Sequence, residues 1–390
     1  MTPTGMTQPG VTDPWRTPER LALRALARTL VAREIAPHIG QWERDGELPR
    51  ALHRTFADAG LLGLAFPEEV GGGGGDSVDA AIVTEEVLLG GGSGGVVASL
   101  FTHGIAAPHM ARSGSARLVD TYVRPALRGE LIGALAVTEP GGGSDVAGLR
   151  TRAVLDGDEW VVDGSKTFIT SGVRADFVTT AVRTGGEGYG GISLLVVDKG
   201  TPGFTVDRRL DKMGWLCSDT AELGFADVRV PAANLIGEPG TGFVQILQQF
   251  QAERLGLAVQ AYATAQRCVD LTLAWVKERE TFGRPLASRQ VVRHKVAEMA
   301  RAAWVAKSVT RTAMAAWQES GDAVLEVSMA KNTACEACDV VVDAAVQLHG
   351  GAGYLRDSEV ERHYRDSRIL RIGGGTDEIM NEVIAKKLGL

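Results

Sequence analysis

Between Gly242 and Lys277 the only charged residues are Glu253, Arg254, Arg267, Asp270 and the terminal Lys277. A helix on a protein surface needs a broad polar stripe, and this run has none, so it predicts a long helix wrapped by protein on most sides. Further helical patterns follow at about 288–320 and 322–349, and a short one ends the chain. Four helices packed around such a centre make a bundle, a usual place for a pocket between facing side chains. Residues 240–390 read as this unit.

The preceding segments have a different texture. From 131 to 239 the sequence breaks into short runs rich in Val, Thr and Phe; TRAVL and EWVVDGSKTFIT flank the turn Asp156-Gly157-Asp158, and ADFVTTAVR and GISLLVVDK follow. This predicts a small antiparallel barrel or sandwich. Residues 17–130 read as helical: Thr17, Pro18 and Glu19 form an N-cap, first position and first-turn acid. The apolar positions Leu23, Leu26, Ala27, Leu30 and Val31 then recur until Pro37. A helix is expected from Ala51 to Ala59 and another from Val78 to Leu89, with Glu85 and Glu86 on its wet side. Residues 1–16 read as a disordered tail. The fold class is α+β and multidomain: N-terminal helices, a middle β-domain, then a four-helix bundle.

Composition removes several classes of function. A formal charge of −7 gives no overall positive field to attract a polyanion, so no nucleic-acid partner is expected. The longest uncharged stretch, Val87 to Ala111, is broken by glycines and carries His103, Pro108 and His109, so no membrane span is expected. The N-terminus shows no basic-then-apolar leader, which makes a cytoplasmic address the default. Four cysteines are too few for a disulfide scaffold, and Cys335-x-x-Cys338 inside a helical run reads as two small buried residues rather than half a metal site. No metal is expected. Gly91-Gly92-Ser93-Gly94-Gly95 matches G-x-S-x-G, but a nucleophile elbow must follow a buried strand, whereas TEEVLLG is helical. No P-loop and no G-x-G-x-x-G opening a helix occurs.

Four segments carry the functional signal. In Leu135-Ala136-Val137-Thr138-Glu139-Pro140-Gly141-Gly142-Gly143-Ser144-Asp145 a strand ends in a Gly-rich loop whose exposed N–H groups could cradle a pyrophosphate or a planar ring edge. Lys166-Thr167-Phe168-Ile169-Thr170-Ser171 follows. Then come Arg279-Glu280-Thr281-Phe282-Gly283 before Gln290, Gln347-Leu348-His349-Gly350-Gly351-Ala352-Gly353-Tyr354, and Gly373-Gly374-Gly375-Thr376-Asp377-Glu378. In this order, and with Lys212-Met213-Gly214 and Ser218 to Leu223 between them, the set resembles the acyl-CoA dehydrogenase family over nearly the whole chain.

The resemblance implies FAD between the last two domains and a homotetramer, or at least a homodimer. It places Leu135, Val137, Thr138, Gly143 and Ser144, with Phe168 and Thr170, around the flavin ring; Phe168 stands where a Trp is common, and a smaller ring still stacks. Arg279, Phe282 and Gln290, with Gln347, Gly350 and Gly351 of a neighbouring subunit, would hold the pyrophosphate and adenosine, and Thr376 and Glu378 complete the site. Ser144, Gln251, Arg254, Gly373 and Gly374 are implied at the substrate.

Many members of the family carry a Glu where this chain has Gly374. A subset resembling the isovaleryl- and long-chain enzymes instead puts the acid on the first bundle helix, directly before an Arg, and Glu253-Arg254 stands there. An acid inside so apolar a helix is costly unless paired or used, which favours Glu253 as the base over a buried ion pair. The implied chemistry is α,β-dehydrogenation of an acyl-CoA to the trans-2-enoyl-CoA. Glu253 would take the α-proton and flavin N5 the β-hydride, while the Gly374 N–H and a ribityl hydroxyl bind the thioester oxygen. An electron-transfer flavoprotein is the implied acceptor. An acyl-CoA oxidase or monooxygenase on the same fold is the alternative. A non-enzymatic DNA- or protein-binding member is the alternative of another class, although the arginines at 362, 365, 368 and 371 alternate with Glu359, Glu361 and Asp366 and read as a solvated helical face.

Overall fold

The computed structural model describes residues 13–390. The expected tail therefore falls largely outside the described residues. Its last three do not fray: Pro14–Arg16 form a 3-10 turn capped by the Asp13 side chain, and the buried Trp15 ring lies 3.9 Å from the Arg311 guanidinium.

The N-terminal helices include Pro18–Glu34, Arg50–Asp58 and Ser77–Leu89. The first is capped by Thr17, whose hydroxyl accepts the Arg20 N–H at 3.3 Å. In the third, the sequence expectation fails, because Glu85 and Glu86 are 1% and 2% exposed. Glu85 meets Arg24 at 2.5 Å, Arg311 at 3.0 Å and Lys307 at 3.6 Å, and its Oε1 accepts the Tyr262 hydroxyl at 2.7 Å. Glu86 is held by Arg24 and Arg28. The partners come from a neighbouring helix and from the bundle, so helix periodicity alone could not reveal them. Ser93 likewise serves structure, capping the helix Gly94–Leu100 with its hydroxyl on the Val96 N–H.

Seven strands form one curled sheet: β1 (Gly133–Ala136), β2 (Arg152–Asp156), β3 (Glu159–Thr170), β4 (Phe177–Arg183), β5 (Ile192–Asp198), β6 (Phe204–Arg209) and β7 (Thr220–Pro231). β2 and β3 pair across the expected Asp156–Asp158 turn. The sheet is not wholly antiparallel: β1 runs parallel to β4, and β2 touches β4 in parallel at Arg152 and Arg183. A parallel neighbour needs a long crossover, and the β2–β3 hairpin lies in the chain between β1 and β4 to supply one.

The bundle consists of helices Gly242–Glu278, Gln290–Ser320 and Val324–His349, joined by the C-terminal helix Asp377–Lys387. One apolar core runs continuously from the N-terminal helices into this bundle, including Ile82, Tyr262, Met299 and Val341. Cys335 and Cys338 are free and buried, and no group of metal-ligating side chains occurs among the described residues. No helix of the described residues is long and apolar enough to cross a membrane.

The helix Glu359–Ser367 is also more buried than its charge pattern suggested. His363 and Asp366 are 0% and 3% exposed. Asp366 accepts the Trp215 N–H at 2.6 Å and the Gly95 N–H at 3.4 Å, so one carboxylate joins all three parts of the fold. Burial and the nearby Glu43 push its carboxyl up to about 6.

Candidate active site

The Gly-rich loop after β1 is built around Lys166. Its side chain is fully buried, and its Nζ donates to the Val137 carbonyl at 3.0 Å and to Glu139 Oε1 at 2.8 Å. Glu139 also accepts the N–H groups of Arg150 and Thr151, both at 2.8 Å, and so closes the loop on itself. Burial lowers the Lys166 ammonium to about 8 against the opposing pull of Glu139. The Thr167 N–H donates to the Thr138 carbonyl at 2.9 Å, tying β3 to this loop. A Cβ on Gly143 would stand 3.2 Å from Thr138 Cγ2, which brings these two sequence candidates together. A cleft of about 410 Å³ opens here, lined by Val137, Glu139, Gly143 and Arg150 among others.

Between Lys166 and Ile169 the pairing of β3 with β7 slips, and Phe168 sits at φ +60° with its ring 68% exposed. The left-handed backbone aims a large apolar ring outward where strand alternation would have tucked it in. Thr170 closes the bulge, paired with Thr220, and Leu135 lies in β1. Ser144 is exposed on the loop. The bare ring of Phe168 beside a Gly-rich loop fits a planar cofactor, and these residues would hold its ring system.

The second half of the site lies on the bundle. Glu253 is half-buried on the first bundle helix, and among the described residues its carboxylate has no hydrogen-bond or ion-pair partner. Burial raises its pKa above the ordinary 4.5, opposed by the positive charges of Arg254 and Lys331. The turn Gly373–Gly375 approaches from the C-terminal end. A Cβ on Gly374 would stand 3.8 Å from Glu253 Oε1 and 2.7 Å from Leu257 Cδ1, and Gly374 itself has φ +65°. Glycine is therefore required by both the space and the dihedral. Arg254 Nε donates to the Gly374 carbonyl at 2.9 Å, and Lys331 Nζ donates to the Gly375 carbonyl at 2.6 Å. The Gly373 N–H bonds to Ile369, whereas the Gly374 N–H has no acceptor among the described residues. Thr376 caps the C-terminal helix, with Glu378 exposed in its first turn. Gln251, expected near substrate, is buried, and its Oε1 accepts the Ala323 N–H at 2.9 Å, committing it to the start of the third bundle helix.

The remaining cofactor candidates are elsewhere. Arg279 ends the first bundle helix, about 39 Å along its axis from Glu253 at 1.5 Å per residue. Phe282 caps a hairpin with its ring 97% exposed, near Arg289 and the start of the second bundle helix at Gln290. Trp275 Nε1 donates to the Leu348 carbonyl at 3.2 Å, which sets exposed Gln347, Gly350 and Gly351 at this same end. Arg279, Phe282, Gln290 and Gln347 to Gly351 thus gather at the end of the first bundle helix remote from Glu253. Lys331, the buried cation at the Gly-rich turn, escaped the reading of the sequence because a single Lys in a helical run carries no signal of burial.

Three family profiles cover the chain in order: the acyl-CoA dehydrogenase N-terminal domain over residues 17–130, the middle domain over 134–228 and the C-terminal domain over 240–389. The chain is 38% identical to the mitochondrial long-chain specific acyl-CoA dehydrogenase of Sus scrofa over 94% of its own length and 85% of that protein's. A crystal structure described as a probable acyl CoA dehydrogenase from Mycobacterium abscessus superposes with a TM-score of 0.95 at 67% identity, covering 96% of this chain and 100% of that one. A glutaryl-CoA dehydrogenase from Mycobacterium smegmatis, solved in complex with FADH2, gives a TM-score of 0.90 at 26% identity over 97% of this chain and 96% of that one. The chain belongs to the acyl-CoA dehydrogenase family and is an oxidoreductase of that flavoprotein family.

Proposed function

We propose that the enzyme dehydrogenates an acyl-CoA thioester between Cα and Cβ to the trans-2-enoyl-CoA, with Glu253 as the base. The observation that carries this reading is the position of the Glu253 carboxylate, unpartnered and 3.8 Å from where a side chain at 374 would begin. FAD, held by Thr138, Phe168, Thr170 and their neighbours, supplies the acceptor for the β-hydride when bound. Glu253 takes the α-proton onto its carboxylate. The free N–H of Gly374 donates to the thioester oxygen, stabilising the enolate-like charge as the proton leaves. Burial makes Glu253 a stronger base than a solvated carboxylate, since the charged form gains by capturing a proton.

The two separated groups of cofactor candidates support an assembly in which Arg279, Phe282, Gln290 and Gln347 to Gly351 serve the flavin of a neighbouring protomer, in a homotetramer. An electron-transfer flavoprotein would be the electron acceptor of the flavin-loaded enzyme. The test is an anaerobic titration of the flavin-loaded protein with a panel of straight, branched and aromatic acyl-CoAs. Bleaching of the flavin band by one class supports the reading and names the substrate; a band that no acyl-CoA bleaches would overturn it. Reoxidation by oxygen as fast as by the partner flavoprotein would replace the dehydrogenase with an oxidase.

Moving the acid is expected to fail. In a Glu253→Gln background, Gly374→Glu must hold φ +65° with its Cβ against Leu257 Cδ1, so its carboxylate does not reach a useful position. The left-handed conformation alone costs a non-glycine residue ~1–2 kcal/mol. Restored bleaching in this double variant would contradict the geometry described above.

A further inference from the structure

Two lysines have fully buried side chains, Lys166 and Lys331. A buried ammonium is expensive unless it is paired. Lys166 has its carboxylate, Glu139, at 2.8 Å. Among the described residues Lys331 has no contact so close: it donates to the Gly375 carbonyl at 2.6 Å, and the nearest carboxylate oxygen, Asp377 Oδ1, stands at 4.0 Å. Asp377 Oδ2 accepts from Arg371, which also binds Asp339, while Oδ1 is left to face Lys331 at the limit of ion-pair range. A cation is thus kept in the interior, on a carbonyl of the Gly374 turn, with its nearest carboxylate among the described residues only at 4.0 Å.

Its surroundings explain what holds it there. Lys331 lies on the third bundle helix with Cys335 one turn further on; Asp377 and Arg371 face it from the C-terminal segment, and Glu253 and Arg254 from the first bundle helix. Arg254 holds the Gly374 carbonyl and Lys331 the Gly375 carbonyl, so two cations clamp successive peptide units of the turn. Because each unit is planar, the held Gly374 carbonyl fixes the Gly375 N–H and the held Gly375 carbonyl the Thr376 N–H, so the two clamps hold the turn immediately C-terminal to the Gly374 N–H.

We infer that Lys331 is a positioning residue, which clamps the Gly375 carbonyl and so anchors the turn on the C-terminal side of the free Gly374 N–H, with its buried charge facing Glu253. This rests on the reading of Glu253 as the base. Arg254 holds a different carbonyl, that of Gly374, and lies over the Phe250 ring, 5.4 Å away.

The test compares Lys331→Met with Lys331→Arg in the flavin-loaded enzyme. Lys331→Met is expected to keep its flavin and to lose ~10–100-fold in the limiting rate of flavin reduction, of the order that loss of an outer-shell orienting group costs. The acid limb of its pH–rate profile shifts upward by about one unit, the effect of removing a nearby opposite charge. Lys331→Arg recovers the native limb. A Met variant with native rate and native limb overturns the inference, and so does an Arg variant whose limb stays with that of Met. A second readout needs no turnover: NMR titration of the Glu253 carboxyl in labelled protein, identified by its absence in Glu253→Gln. An upward shift in Lys331→Met supports the inference even if no acyl-CoA bleaches the native flavin, which would defeat the acyl-CoA reading alone. An unmoved Glu253 titration beside a native enzyme that bleaches defeats Lys331 alone.

Discussion

Glu253→Gln is expected to fold, to bind its flavin and to be reduced by acyl-CoA ~10²–10⁴ times more slowly than the native enzyme, the usual worth of a general base. The substitution is nearly isosteric, and the native carboxylate makes no contact whose loss could disturb the helix. Because burial raises the carboxyl above its unfolded value of 4.5, keeping it charged costs folding stability at neutral pH. Gln removes that cost, so the variant is expected to melt at or above the native temperature at pH 7 and to lose the advantage as pH falls from the raised folded value toward 4.5. The native pH–rate profile follows from the same shift. Only the carboxylate accepts a proton, so the rate declines as pH drops through a value above that of an ordinary glutamate. Stopped-flow reduction across pH 5 to 9 measures both, and a Gln variant within a few-fold of native speed removes Glu253 from the chemistry.

Glu85→Gln has the opposite signature, a large loss of stability with no direct role in the reaction. Glu85 is 1% exposed and compensates Arg24, Lys307 and Arg311, which have few other acids to face. Breaking a buried pair by removing one partner leaves an uncompensated charge and costs about 3–5 kcal/mol. The three cations hold the carboxyl down to about 2 against the pull of desolvation. A depressed acid stabilises the fold above its unfolded value, near 4.5, and that contribution is lost as pH falls toward about 2. The gap in melting between native and variant is therefore expected to be full at pH 7 and to narrow steadily from about pH 4.5 downward. Equal gaps at pH 7 and pH 3 would show that the ion cluster is not the source of the loss.

These two glutamates also show how far the sequence could be read. Glu253 was legible because it interrupts a run with almost no other charge, and an acid there demands an explanation. Glu85 was misread because an acid late in an amphipathic helix is usually wet; its cations come from chain segments more than fifty residues away in one direction and two hundred in the other. Short-range pattern does not contain such partners. The same limit hid Asp366, whose two N–H donors come from Trp215 and Gly95. The helices and strands themselves were visible because capping residues, turn residues and apolar spacing are local. The bulge at Phe168 was not, since its left-handed backbone follows from a slip in pairing with β7 rather than from any residue at the position. The motifs carried the site, and the resemblance already divided the cofactor residues between subunits; the structure adds that Arg279 and the segment Gln347 to Gly351 lie together at the C-terminal end of the first bundle helix.

The empty place at 374 has a consequence for how such enzymes diverge. With the acid on a helix, the turn is free to adopt a dihedral that a glutamate resists, and Leu257 fills the room its side chain would take. Moving the acid from helix to turn then takes coordinated change at 253, 257 and 374, because a side chain at 374 needs the room that Leu257 fills and a backbone turn away from φ +65°. The place of the base is thus a property of three positions acting as one unit rather than of a single residue.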